Sequence, residues 1–232
     1  MATMAIRAPR VRSDDIFFPA MALLTLVIVL TGFAKTYFLA GMMFAKLPNA
    51  LVHIHGAVFI SWILLLVVQT SLVAAHKVKW HRKLGVLSLI LIPSMLILGV
   101  LTLFDFVRRV SPDEHPEALF VGDLETIILF VFLTTWALLA RRDAASHKRL
   151  MILATMAIMG PAIARWNVSI PITLGTIFGL PLLVLAYDLW TLKRVHRTTI
   201  VAIALTAAWT FTVLPFSNLP FWHHTIEWIR RT

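Results

Sequence analysis

The feature that most constrains this sequence is that its apolar residues fall in long, nearly uninterrupted blocks. A helix needs about 20 apolar residues to cross a bilayer core of roughly 30 Å, and seven blocks reach or approach that length. The blocks show neither the alternation of a half-buried strand nor the stripe of an amphipathic helix. The sequence therefore predicts an all-α, polytopic transmembrane helix bundle of about seven spans. The predicted spans are Ile16–Phe38, Ala50–Ala75, Leu84–Phe104, Ala118–Leu139, Leu150–Ala164, Ile170–Tyr187 and Thr199–Phe216.

Composition agrees with this architecture and leaves no room for a second domain. The chain is 59% hydrophobic and 14% charged, whereas soluble domains are about 45–50% apolar and about 25% charged. No polar stretch is long enough to bury a core of its own. We expect a basic cytoplasmic N-terminus over residues 1–15, a transmembrane domain over 16–217 and an outer interfacial tail over 218–232. Trp222 and Trp228 suit the headgroup region in that tail.

The distribution of basic residues predicts the orientation. With a cytoplasmic N-terminus, the cytoplasmic segments are 1–15, 76–83, 140–149 and 188–198, and they hold 14 of the 21 lysines and arginines. An excess of basic residues on the cytoplasmic side is the usual pattern of membrane proteins. The sequence therefore predicts an N-in, C-out topology. The same pattern accounts for the net charge of +10 without a nucleic-acid partner.

Several function classes are excluded by what the sequence lacks. It contains no cysteine, which excludes disulfides, iron–sulfur clusters and covalent c-type haem attachment. It has no glycine-rich phosphate loop and no zinc-protease histidine motif. The sequence also disfavours a retinal Schiff base, because Lys35 is the only lysine inside a predicted span and the last span has none.

Polar residues near the predicted outer face form a first candidate site. His53 and His55 open the second span, Asp123 and Glu125 lie near the outer end of the fourth, and Arg165 ends the fifth. One interpretation is an ion-pair network that holds the helices in register, with Asp123 paired to Arg165 or Lys35. The other is a metal site built from His53, His55, Asp123 and Glu125. In a regular helix, residues i and i+2 point about 200° apart, so the two histidines are expected to face different surroundings.

A second set of histidines lies near the predicted cytoplasmic face. His81 and His147 each precede a span, and each is followed by two basic residues and a leucine, while His196 precedes the last span. Their positions predict a similar depth for His81 and His147. A b-type haem requires two axial imidazoles with basic residues nearby, so His81, His147 and His196 are the candidate cofactor ligands. An ordinary interfacial anchor for lipid phosphates is the alternative. His55 and His81 lie near opposite faces and are not expected to share one ion.

The motifs of these segments resemble those of a known group of proteins. The stretches HIHG (53–56), HRKLG (81–85), GDL (122–124), HKRLM (147–151) and YDLWTLKRVH (187–196) resemble an uncharacterised family of bacterial multi-pass membrane proteins over roughly residues 30 to 200. The HRKLG and HKRLM pair is also similar to a bacterial domain of unknown function with a four-helix core, loosely similar to di-haem cytochromes of the b561 type. The resemblance implies a helix bundle in a bacterial inner membrane and no established activity.

Three functions are compatible with the sequence. The first is a redox protein that binds haem b, with quinone as a partner in the bilayer. The second is a non-enzymatic accessory or assembly subunit of a larger respiratory or photosynthetic membrane complex. The third is a metal-dependent membrane enzyme or transporter that uses a divalent metal at the outer site. The sequence does not decide whether the protein is an enzyme.

Overall fold

The computed structural model describes residues 12–39, 49–111 and 115–231. In these three ranges the chain forms helices and no strand. Most of the predicted N-terminal segment, residues 1–11, lies outside the described residues. The helices are α1 (Ser13–Phe33, continued by a π-helical turn over Ala34–Phe38), α2 (Ala50–Ala74), α3 (Val78–Gly85), α4 (Ser88–Arg109), α5 (Glu117–Leu139), α6 (Ala144–Ala157), α7 (Gly160–Ala164), α8 (Ile170–Leu192), α9 (Arg197–Ser217) and α10 (Pro220–Arg231).

Within the described ranges, six helical segments are long and apolar enough to cross a membrane. They are Ser13–Phe38, Ala50–Ala74, Val78–Arg109, Glu117–Leu139, Ile170–Leu192 and Arg197–Ser217. These segments confirm the prediction of an all-α, multi-span membrane protein. They overlap six of the seven predicted spans.

The remaining predicted span, Leu150–Ala164, is divided between two shorter helices. α6 ends at Ala157 and α7 begins at Gly160, where Pro161 lacks a backbone donor for continuous helical hydrogen bonding. The two helices nevertheless run along α1: Lys148 near the start of α6 pairs with Asp14, and Ala162 in α7 lies against Gly32. Neither helix alone is long enough to span, so the seventh crossing stays a prediction.

The core of the bundle is centred on α6. Leu150, Ile152 and Ala154 are completely buried, and α6 packs chiefly against α5 and α9. Large apolar side chains on the outside of the bundle are in contrast widely exposed, as at Leu89 and Ile90 in α4. A soluble monomer rarely exposes large apolar patches, so this surface fits a bilayer.

Local capping explains where several helices begin. The Asn49 side chain accepts a hydrogen bond from the Val52 amide at the start of α2, and Asp143 accepts from the amides of Ala145 and Ser146 at the start of α6. These side chains satisfy amides that have no partner in the first turn of a helix. The caps fix the depth at which the polar residues of α2 and α6 lie.

Polar side chains gather at both ends of the bundle. The end that contains Asp14, Lys148, Arg149 and Asp188 is called the basic end below. At the opposite end Asn49 donates to Asp105, and α10 packs on α4 and α5. Ile226 and Ile229 of α10 are buried in a cluster with Val107 and Phe120, so the C-terminal segment forms an amphipathic helix docked on the bundle.

The contact between α1 and α7 leads to a first prediction. A methyl group at Gly32 would overlap the backbone carbonyl of Ala162, as expected where small residues let membrane helices approach closely. We expect Gly32→Ala to lower the free energy of unfolding by about 1–3 kcal/mol, measured by titration with sodium dodecyl sulfate in mixed micelles. Gly175→Ala in α8 is the control, because nothing lies within 4 Å of the added methyl. Equal stability of the Gly32→Ala protein and the wild type would contradict this packing.

Candidate histidine site at the basic end

The structure brings His81 and His147 together. Their ring centroids are 6.3 Å apart, and the ring planes are nearly perpendicular at 84°. His81 lies in the short helix α3, which follows α2 after a tight turn, and His147 lies in the first turns of α6. Two imidazoles from different helices therefore lie close to each other, as two protein ligands of a single ion must.

Hydrogen bonding defines the state of the His147 ring. Its Nδ1 is 2.8 Å from the carbonyl oxygen of Ala137, near the end of α5. Because a carbonyl only accepts, Nδ1 carries the proton, and the lone pair of the neutral ring is on Nε2. A hydrogen bond from one ring nitrogen to a backbone carbonyl is the arrangement that orients metal-binding histidines.

Three buried polar atoms, one in this pair and two on α2, have no hydrogen-bond partner in the described part of the chain. They are Nδ1 of His81 and both Nε2 and Oε1 of Gln69. The main chain of Gln69 lies beside the His81 ring, and its side-chain Nε2 lies near Gly85, which ends the same short helix α3. Buried polar atoms are almost always paired in folded proteins, and an unpaired one costs about 1–3 kcal/mol. An unpaired ring nitrogen in the histidine pair and an unpaired amide on the adjoining helix are expected where a ligand completes the bonding.

Gln69 allows a test of this interpretation. Gln69→Leu removes two unpaired buried atoms, so we expect it to raise the free energy of unfolding of the metal-free protein by about 1–2 kcal/mol. We expect the same variant to bind a metal at the histidine pair more weakly than the wild type does. Unfolding is measured with and without added metal, and Ser71→Ala on the exposed side of α2 is the control. Destabilisation of the metal-free Gln69→Leu protein would show that the amide is already paired.

A buried ion pair lies on another side of α6. Arg149 donates from Nε and Nη2 to Oδ1 of Asp188, at 2.8 and 2.5 Å, and the side chains are 2% and 0% exposed. The other oxygen of Asp188, Oδ2, accepts from the His196 amide and the Thr199 hydroxyl. Every charge in the pair is thus matched, as burial requires. This network joins α6 to α8 and α9.

His196 belongs to this network and not to the histidine pair. Its Nδ1 accepts from the Thr198 amide at the start of α9 and is 2.7 Å from the Thr198 hydroxyl. Burial lowers the pKa of the His196 imidazole, and the charge of Arg149 lowers it further. His196 therefore has a structural role beside the ion pair. Its neutral ring caps α9, and its backbone amide donates to Asp188.

The predicted outer residues take up separate positions at the opposite end. The ring of His55 stacks on Phe59 at 4.1 Å, and its Nδ1 donates to the Thr102 hydroxyl at 2.9 Å, since that hydroxyl donates to the Leu98 carbonyl. His53 is exposed beside Tyr37. In residues 12–39, 49–111 and 115–231, no three side chains of His, Cys, Asp or Glu converge on a point where a metal could bind.

The carboxylates at this end are also apart from the expected partners. Arg165 donates to the carbonyl of Pro161 and lies 4.5 Å from the centre of the Phe33 ring. In the described part of the chain, no ion pair within 4.0 Å joins Asp123 to Arg165 or to Lys35, although Asp123 and Arg165 are close enough to interact through space. Oε2 of Glu125 is buried without a partner.

Sequence reasoning missed two participants at the basic end. The sequence places Arg149 among the basic residues of a cytoplasmic loop, and the predicted sites do not include Gln69. A signal exists for both: Asp188 ends an apolar run and needs a partner, and Gln69 is a polar amide inside a span. Their neighbours depend on which helices pack together, which the sequence alone does not give.

Comparison with known proteins finds no relative of this chain. No family model matches the chain, no curated protein matches it, and no solved structure matches it. The functional interpretation therefore depends on the geometry of the basic end.

Proposed function

We propose that this chain is an integral membrane metalloprotein in which His81 and His147 are the two protein ligands of one metal centre, with the iron of a b-type haem as the preferred occupant. The observation that supports this proposal is the close imidazole pair, 6.3 Å between ring centroids, together with unpaired buried atoms of His81 and Gln69. The protein would provide both ligands and, through the Ala137 carbonyl, the orientation of the His147 ring.

The separation of the two rings is compatible with one shared metal ion. A metal–nitrogen bond of about 2.0–2.1 Å to each ring, with about 1.1 Å from each nitrogen to its ring centre, allows at most about 6.3 Å between centroids. At 6.3 Å, His81 and His147 would both reach a single ion, and haem iron is the proposed occupant because it takes two imidazole ligands.

The residues around the pair include cations for the haem propionates and a group that orients one ligand ring. Arg82 and Lys83 follow His81 directly, and these two cations would meet the propionate groups. The Ala137 carbonyl holds the orientation of the His147 ring. When bound, the haem would supply one-electron chemistry, and a quinone in the bilayer or a larger membrane complex would be the electron-transfer partner.

The orientation and number of spans form part of this proposal. With the basic end in the cytoplasm, its arginines and lysines follow the positive-inside pattern, which supports the N-in, C-out topology. The contacts of α6 and α7 along α1 support a seventh, interrupted crossing. The proposal also includes a location in a bacterial inner membrane. It includes a relationship to the multi-pass family that the HRKLG and HKRLM motifs resemble.

An optical spectrum and elemental analysis of the purified protein test the function. The protein is expressed with ample haem and iron and isolated in a mild detergent. We expect about one iron per chain and a Soret band. One zinc or copper per chain without a Soret band would support the two-histidine site and reject haem. A folded, colourless protein that contains no metal and takes up neither haem nor a divalent metal would reject the proposal.

A further inference from the structure

A basic cleft lies at the same end of the bundle, outside the histidine pair. It encloses about 470 Å³ between the beginnings of α1 and α6 and the end of α8. Four of its lining residues are cationic: Arg12, Lys148, Arg149 and Arg194. A concave surface with several cations of one sign concentrates anions from solution or from a membrane surface.

The anionic groups present do not balance these cations. Lys148 pairs with Asp14 at 2.5 Å, and Arg149 pairs with Asp188. Arg12 and Arg194 are exposed at the rim, and no ion pair in the described part of the chain involves either one. The Asp15 carboxylate accepts from the backbone amide of Arg12 and makes no ion pair with its guanidinium, so the two rim arginines remain the cations of the cleft that have no ion-pair partner among the described residues.

Hydroxyl groups and an aromatic cluster complete the surface. The Tyr187 hydroxyl donates to Asp14 Oδ1 at 2.8 Å and is 3.0 Å from the Ser13 oxygen. The Tyr187 ring stacks on Phe17 at 3.9 Å, and Trp190 beside it is 66% exposed. Exposed tryptophan and buried tyrosine at the end of a span are typical of the headgroup level of a bilayer.

Two of the helices that form the cleft also expose apolar side chains. Ile16 and Leu23 on α1, and Leu182 and Leu183 on α8, are exposed. A molecule with an anionic head and apolar tails would match both features: its head would lie at Arg12 and Arg194, and its tails would lie against these apolar side chains. Basic pockets between membrane helices on the cytoplasmic side bind anionic lipid headgroups in this manner.

We propose that the cleft between α1, α6 and α8 binds the phosphate of an anionic phospholipid headgroup, with Arg12 and Arg194 as its principal contacts. A free phosphate ion presents the same chemistry, and the test below separates the two sources. The site is distinct from the histidine pair and does not depend on any metal being bound.

Binding is measured on the full chain in a neutral detergent. Native mass spectrometry counts retained dioctanoyl-phosphatidylglycerol, and thermal unfolding follows stabilisation by the same lipid, by dioctanoyl-phosphatidylcholine and by inorganic phosphate. The test variant is Arg12→Gln/Arg194→Gln. The control variant is Arg142→Gln/Arg197→Gln, which removes the same charge from exposed residues near this end that do not line the cleft.

We expect one phosphatidylglycerol per wild-type chain and at least fivefold weaker binding in the test variant, since one basic residue near a lipid phosphate contributes about fivefold in affinity. The control variant should bind phosphatidylglycerol about as well as the wild type does. Phosphatidylcholine should bind weakly to the wild-type chain. Equal protection by inorganic phosphate would assign the cleft to a free anion and reject the lipid. Equal losses in both variants, or unchanged binding in a test variant that unfolds like the wild type, would also reject the site.

Discussion

Arg149→Met is expected to lower the free energy of unfolding by about 3–5 kcal/mol, because it leaves the Asp188 carboxylate buried without its cationic partner. The pair is almost completely shielded from solvent, so water cannot replace the guanidinium. Asp188→Asn should be destabilising for the converse reason. The measurement is unfolding by sodium dodecyl sulfate in mixed micelles, followed by circular dichroism.

Two further variants show whether this loss comes from the ion pair. Arg149→Met/Asp188→Asn removes both charges, while the carbonyl oxygen of the new side-chain amide can still accept from Thr199. The double variant should therefore recover most of the stability lost in Arg149→Met. Arg109→Met breaks a more exposed pair with Asp105 and should cost less than about 1 kcal/mol. A loss in the double variant equal to the sum of the single losses would contradict a coupled pair.

His81→Ala and His147→Ala are each expected to abolish stoichiometric metal or haem binding, because each removes one of the two protein ligands. The expected loss of affinity exceeds the 10- to 100-fold that is typical of changes to residues that only support a ligand, and is about 100-fold or more. Elemental analysis and the optical spectrum of the purified variants provide the measurement.

Matched variants separate ligation from folding. His147→Asn can still donate to the Ala137 carbonyl, so it should keep the wild-type stability while it loses the metal. His76→Asn removes an exposed histidine at the same end and retains a residue that tolerates the positive φ of 57° found there, so its metal content should not change. Retention of metal in His147→Asn together with loss in His76→Asn would contradict the proposed ligand pair.

The spans could be predicted because hydrophobic length is a local property. The interrupted fifth segment is harder to predict, since α6 and α7 are buried by their neighbours and do not need a full-length apolar helix. Gly160 and Pro161 give a local reason for the break. The sequence also indicates correctly that an apolar surface faces outwards, because few charged residues interrupt the blocks.

The candidate site could be predicted only in part because it depends on helix packing. His147, Lys148 and Arg149 are consecutive, and successive helix residues point about 100° apart. They contact three different neighbours: His147 bonds to α5, Lys148 to α1 and Arg149 to α8. A sequence shows these residues as one basic motif, whereas the packed helices assign each of them to a different interaction.

X-ray absorption at the edge of the bound metal tests the central claim most directly, because it counts the imidazole rings on the metal. The absence of cysteine removes protein thiolates from the signal. The proposed site predicts two imidazoles per metal, with nitrogens at about 2.0–2.1 Å, and loss of one ring in His147→Asn protein reconstituted with excess metal. A metal bound by one imidazole or by none in the wild-type protein would contradict it.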